Sequence, residues 1–166
     1  MSSNVTPLPS KAQKSAVLEL DEYLPFRLSV ASNGVSRLIA RAYEDRFGLS
    51  IPQWRLMAVL AEVGGLTPQA IVARTAMDKV TVSRAANGLV TRHLIARTAS
   101  ASDGRSHSLA LTETGRRLHG EIAPLALAYE AALLTGLAPA EVAQMKRLLQ
   151  RLEAAAARLS GETPSR

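Results

Sequence analysis

Seven basic side chains, Lys79, Arg84, Arg92, Arg97, Arg105, Arg116 and Arg117, fall between residues 78 and 117, against only Asp78, Asp103 and Glu113. That stretch alone holds four of the six excess positive charges of the 166-residue chain. Residues 21–64 and 118–166 are each neutral. Among the cations stand Thr81, Ser83 and Asn87, short polar side chains that donate and accept hydrogen bonds. Cations suit a polyanion, and hydroxyls and amides suit a patterned polar edge. A solvated basic surface has the same composition, so the elements that carry these residues must decide.

Those elements are legible from periodicity and caps. From Leu24 to Phe47, Leu28, Ala31, Val35, Leu38 and Ala42 recur at helical steps, with Ile39 and Tyr43 broadening the stripe, and Gly48 ends the run. Ser50 before Ile51-Pro52 caps a second helix, mostly buried through Trp54, Leu56, Met57, Val59 and Leu60 and closed by Gly64-Gly65. Thr67-Pro68 opens a short third helix to about Thr75. Asp78 caps a fourth, in which Val82, Ala85, Ala86, Leu89 and Val90 face inward. Lys79, Thr81, Ser83, Arg84, Asn87, Gly88 and Thr91 are left outside. Gly88 costs about 1 kcal/mol relative to Ala inside a helix, and close approach of the helix to DNA or to a neighbouring element would account for it.

Two short alternating segments, LIART and HSLAL, then flank the turn-rich ASASDGRS, which predicts a β-hairpin with Asp103-Gly104 at its tip. Thr112 caps a long helix from Glu113, expected to break or bend near Pro124. A last helix opens at Pro139-Ala140-Glu141. In it Val142, Met145, Leu149, Leu152, Ala156 and Leu159 form a coiled-coil-like seam. The fold class is mainly α with a small β-hairpin wing: a winged helix-turn-helix plus long helices.

In that arrangement the fourth helix enters the major groove of double-stranded DNA. Thr81, Ser83 and Arg84 are the expected base readers, with Lys79 and Asn87 beside them. Thr67 and Gln69 suit a phosphate at the start of the third helix. Arg92 adds to the basic surface, and His107 is placed to touch phosphate. Arg105 is the wing's probe of the minor groove, and Asp103 either orients it or serves only as a turn residue.

Other classes are narrowed by what the chain lacks or scatters. Zero cysteine excludes disulfides, thiolate zinc sites and iron–sulfur clusters. The histidines, His93, His107 and His119, are scattered and read as surface or helix-end residues, so neither a metal site nor a cofactor is expected. No apolar run reaches the roughly 18–20 residues of a membrane span. The first residues contain no hydrophobic h-region, so no membrane partner and a cytoplasmic location are expected. Ser100, Ser102, Asp103, Ser106 and His107 place hydrolase-type residues in one loop, but a triad converges from separate rigid elements. No enzyme is expected. A winged-helix scaffold that binds proteins through its helical seams stays open as the alternative.

MDKVTVSRAANGL (Met77–Leu89) followed by DGRSHSLALTETG (Asp103–Gly115) resembles the MarR family of bacterial transcription regulators. In that family an Asp-x-Arg wing precedes alternating leucines and a Leu-Thr-x-x-Gly helix start. Asp103, Gly104, Arg105, Leu109, Leu111, Thr112 and Gly115 match in order and spacing. WRLMAVL (Trp54–Leu60) is similar to the first helix of the family's DNA-binding lobe, and the resemblance spans about residues 24–160.

The resemblance implies a triangular homodimer, usually a repressor, on a pseudo-palindrome with half-sites roughly 34 Å apart. The implied organisation is a helical dimerisation region of residues 21–50 and 113–160 and a winged lobe of 51–112, with tails at 1–20 and 161–166. It further implies a small-molecule effector, an aromatic carboxylate or its derivative, held between dimer base and lobe. Arg27, Ser29, Asn33, Arg37, Trp54 and Arg55 are the candidates: arginine to grip the carboxylate, Trp54 to stack on the ring. Against this, Trp54 also suits a core and the arginines a solvated or dimer-paired surface. The segment from Leu24 to Leu60 is similar to members that regulate aromatic-acid catabolism. Without cysteine, the peroxide-sensing branch is excluded.

Overall fold

The structure, a computed structural model, describes residues 17–99 and 107–161. The element order is α1 (Leu24–Phe47), α2 (Ile51–Val63), α3 (Pro68–Thr75), α4 (Lys79–Thr91), β1 (Ile95–Ala99), β2 (His107–Leu111), α5 (Glu113–Leu133) and α6 (Pro139–Ser160). Mainly helical with one hairpin, it is the expected fold class. The chain divides into two compact units, and the division falls within α1 and α5: residues 31–130 form one, the described residues up to 30 and from 131 the other.

Short-range chemistry sets the boundaries. The Thr67 hydroxyl accepts from Ala70 N at 3.2 Å to start α3, and Asp78 Oδ1 accepts from Thr81 N at 2.8 Å to start α4. At α2 the Gln53 carboxamide oxygen accepts from Ser50 N at 2.9 Å, the return half of a capping box. Thr112 Oγ1 accepts from Gly115 N at 3.0 Å and donates to the carbonyl of His93 at 2.7 Å, so α5 begins fastened to the end of α4.

The first unit holds every buried apolar side chain among the described residues. Leu56, Met57 and Leu60 from α2, Ile71 from α3 and Val82, Ala85, Ala86 and Leu89 from α4 close on Leu94, Ile95, Leu109 and Leu111 of the wing. Val90 is only half-buried, packed against this core. The hairpin pairs antiparallel, Ile95 opposite Leu111 and Arg97 opposite Leu109. Leu66, from the segment between α2 and α3, adds a bridge to Leu109.

Gly88 has its explanation in this packing. A Cβ there would lie 2.6 Å from Gln53 Nε2, so the missing side chain makes room for the residue that caps α2. Of the break or bend expected near Pro124, the break does not occur. α5 runs unbroken through it. Pro124 offers no N–H to Gly120, but both residues are exposed, and water takes the orphaned carbonyl at little cost.

In the helical unit, α6 has no buried side chain. Met145, Leu149 and Leu152 stay 39–40% exposed along the expected seam, beside a groove of about 820 Å³ that Leu24 and Leu28 also line.

Candidate nucleic-acid interface

Asp78 carries the only carboxylate on the first turn of α4, and it is turned inward on its own helix. Its Oδ2 accepts from Thr81 Oγ1 at 2.6 Å and its Oδ1 from Thr81 N. The Thr81 hydroxyl first, then the backbone N–H, holds this carboxyl below the usual carboxylate range. Thr81 is accordingly half-buried, and its hydroxyl, already donating to Asp78, can only accept from a further partner.

What α4 offers outward is Lys79, Val80, Ser83, Arg84, Asn87 and Thr91, all exposed. Lys79, Ser83 and Asn87 follow at four-residue steps and form one stripe. Among the described residues neither Lys79 nor Arg84 is ion-paired. Gln69 is exposed on the first turn of α3, whereas Thr67 is half-buried and engaged as the cap. Lys79, Ser83, Asn87 and Arg97 rim a cleft of about 250 Å³ floored by Val72, Val82 and Leu109.

Two arginines of the basic stretch are occupied elsewhere. Arg92, expected on the DNA-facing surface, donates to the carbonyls of Gly48 at 2.7 Å and Phe47 at 2.9 Å. Those groups end α1 and have no helical donor left, so a guanidinium fork satisfies them. Arg116 donates to Leu111 O at 2.9 Å and pairs with Glu113 at 3.0 Å. Asp103 and Arg105 lie outside the described residues, as do Ser100, Ser102 and Ser106; for His107 only the backbone, in β2, is described.

Two exposed residues stand outside the site residues expected from the sequence. Val80 is 58% exposed on the outer face, where a valine is suited to a thymine methyl group. Its signal was available: it falls outside the inward set of α4. Arg97, on β1, donates to Asn87 Oδ1 at 2.7 Å. Strand alternation puts it on the same face as buried Ile95, which turns it toward α4.

The effector candidates lie on α1 and α2. Ser29, Asn33 and Arg37 follow one face of α1 and are exposed, as is Arg55 on α2. Arg27 sits 4.0 Å from Asp21 with both side chains in solvent. Trp54 is half-buried, with its ring 5.3 Å from Tyr43 on one contact and stacked on His119 at 5.3 Å and 17° on another. His119 is therefore not the surface or helix-end residue its scattered position suggested. It packs in the middle of α5, and burial pushes its imidazole below the usual value. Burial likewise raises the Tyr43 phenol, with a smaller contribution from Tyr129.

The MarR family model matches residues 47–106, which hold α2, α3, α4, the first wing strand and the segment after it. A probable transcriptional regulator from Pseudomonas aeruginosa is 31% identical over 81% of this chain and 99% of its own, with a TM-score of 0.69. A MarR/EmrR family transcriptional regulator from Acinetobacter sp. ADP1 is 26% identical over 85% of this chain and 99% of its own, with a TM-score of 0.80. BpsR from Bordetella bronchiseptica, whose DNA binding is regulated by 6-hydroxynicotinic acid, is 26% identical over 82% of this chain and 97% of its own, with a TM-score of 0.76. No protein with a curated description matches the chain in sequence. With its wing, its capped α4 and its Thr112–Gly115 junction in place, the chain belongs to the MarR family of transcriptional regulators.

Proposed function

We propose that this regulator is a homodimeric repressor that binds a pseudo-palindromic operator and releases it on taking up a small aromatic anion. The observation that carries the DNA reading is the outer face of α4. Lys79, Ser83, Arg84 and Asn87 are exposed together, and the nearby Asp78 carboxylate is drawn into its own cap. Such a face presents donors and positive charge to base edges and phosphates.

The dimer is supported by the apolar seam of α6, left uncovered in the single chain. Residues 21–50 and 113–160 would then supply the dimerisation region and 51–112 the DNA-binding lobe. The effector class is supported by exposed Arg37 and Arg55, which suit a carboxylate, and by the relative regulated by 6-hydroxynicotinic acid. A coupling of about 1–3 kcal/mol between effector and DNA is sufficient for release. Regulators of this family are DNA-binding proteins rather than enzymes. Among the described residues no helix is long and apolar enough to cross a membrane, and we place the regulator in the cytoplasm with its DNA.

The test is duplex affinity across a salt series, on sequences selected from a random pool. A repressor gives sequence-dependent binding whose logarithm falls steeply and linearly with the logarithm of salt. A flat, weak response on every duplex favours the protein-binding scaffold instead. A thermal-shift screen of aromatic acids tests the effector. A compound that both stabilises the protein and dissociates the complex supports it, and stabilisation with DNA retained counts against it.

A further inference from the structure

Asn87 is held by a group that can only donate. Arg97 Nη2 stands 2.7 Å from it, and a guanidinium carries no acceptor, so the atom it meets must be the carboxamide oxygen. The outward group of Asn87 is therefore its NH₂. An asparagine with both ends free pairs bidentately with adenine, accepting from N6 and donating to N7. Here the accepting end is engaged. Its second lone pair lies beside the Arg97 charge, which repels an incoming amino hydrogen. Lys79 lines the same cleft and adds a second cation.

We infer that Asn87 reads an acceptor edge, guanine O6/N7 ahead of thymine O4, and that Arg97 is the positioning residue that makes this site reject adenine. The inference rests on the reading of α4 as a major-groove helix. Asn87 shares the exposed stripe of Lys79 and Ser83, the face that DNA would approach in that reading.

The experiment compares all four bases at each position of a selected duplex for the parent, Asn87→Ala, Arg97→Ala and Arg97→Lys. Circular dichroism melts verify that each variant is folded. The parent is expected to prefer guanine by about tenfold or more at one position, the discrimination typical of a good base contact. Asn87→Ala levels that position alone. Arg97→Ala frees the oxygen and moves the preference there toward adenine, whereas Arg97→Lys, still a donor and a cation, keeps guanine.

The inference fails if the parent prefers adenine at the position that Asn87→Ala levels, or if Asn87→Ala levels none. It also fails if Arg97→Ala weakens all four bases equally or leaves the guanine preference intact. A parent without salt-dependent duplex affinity overturns the DNA reading itself, an outcome distinct from all of these.

Discussion

Gly115 lies against the carbonyl of Leu94 so closely that a Cβ would overlap the Leu94 oxygen. The obstacle is backbone, not a mobile side chain. It is held where it is because Leu94 O accepts from the N–H of Thr112 at 3.1 Å, while the Thr112 hydroxyl donates to the neighbouring carbonyl of His93. The Leu-Thr-x-x-Gly start of α5 is thus a steric requirement of how α5 meets the end of α4.

Gly115→Ala is accordingly expected to destabilise the fold by about 3 kcal/mol, at the upper end of overpacking effects. Urea unfolding monitored at the helical band measures it. An effect within about 0.5 kcal/mol, typical of unconstrained surface sites, would mean that α5 can shift away freely.

Arg92 separates a structural cation from a DNA-binding one. Arg92→Ala removes two charge-assisted hydrogen bonds to the α1 terminus. Because the site is exposed, a loss of about 1–2 kcal/mol in stability is expected. The salt slope of DNA binding should stay at the parental value. A slope reduced by about one would reveal a phosphate contact instead.

Arg84 should behave in the opposite way. Arg84→Ala is expected to leave stability almost unchanged, to weaken operator binding by about 1–3 kcal/mol and to relax the preference at one base position. Arg105→Ala should weaken binding more evenly across sequences, with a shallower salt slope. Operator titrations at two salt concentrations distinguish the two variants, and parental affinity in both would refute the assigned interface.

The His119–Trp54 stack makes stability respond to acid. Burial lowers the imidazole's proton affinity in the folded state, so below the ordinary value near pH 6.5 the unfolded chain binds the proton more readily. The stabilisation is complete above about pH 6.5 and is lost as pH falls through the lower folded value. Trp54 is the single tryptophan, and its fluorescence should be quenched over the same range as the stacked ring becomes charged. His119→Phe keeps a ring on Trp54 and should flatten both profiles. An unchanged pH response in that variant would assign the effect to other groups.

The sequence disclosed the features whose causes are local. Ser50, Thr67, Asp78 and Thr112 mark helix starts because a cap acts within three or four residues, and each stands at an observed boundary. Val82, Ala85, Ala86 and Leu89 were legible as core from spacing alone. Features with distant causes were not. Gly88 answers to Gln53, Arg92 to carbonyls more than forty residues earlier, and His119 to Trp54. Pro124 does not break α5 for the converse reason: its local penalty is real, but exposed Gly120 lets water absorb it. On α4, polarity alone could not tell Thr81, folded back on Asp78, from Asn87, whereas the outward position of Val80 was legible from its spacing against the inward set.

α6 is a 22-residue helix with no buried side chain of its own. Helices of this kind are marginal in water without packing, so under the dimeric reading much of its order comes from the other subunit. Folding of that region is then a second-order process, and dilution loosens it. Thermal stability should climb with protein concentration. At low copy number, scarcity would lower operator occupancy twice over, once through fewer molecules and again through fewer that are fully assembled.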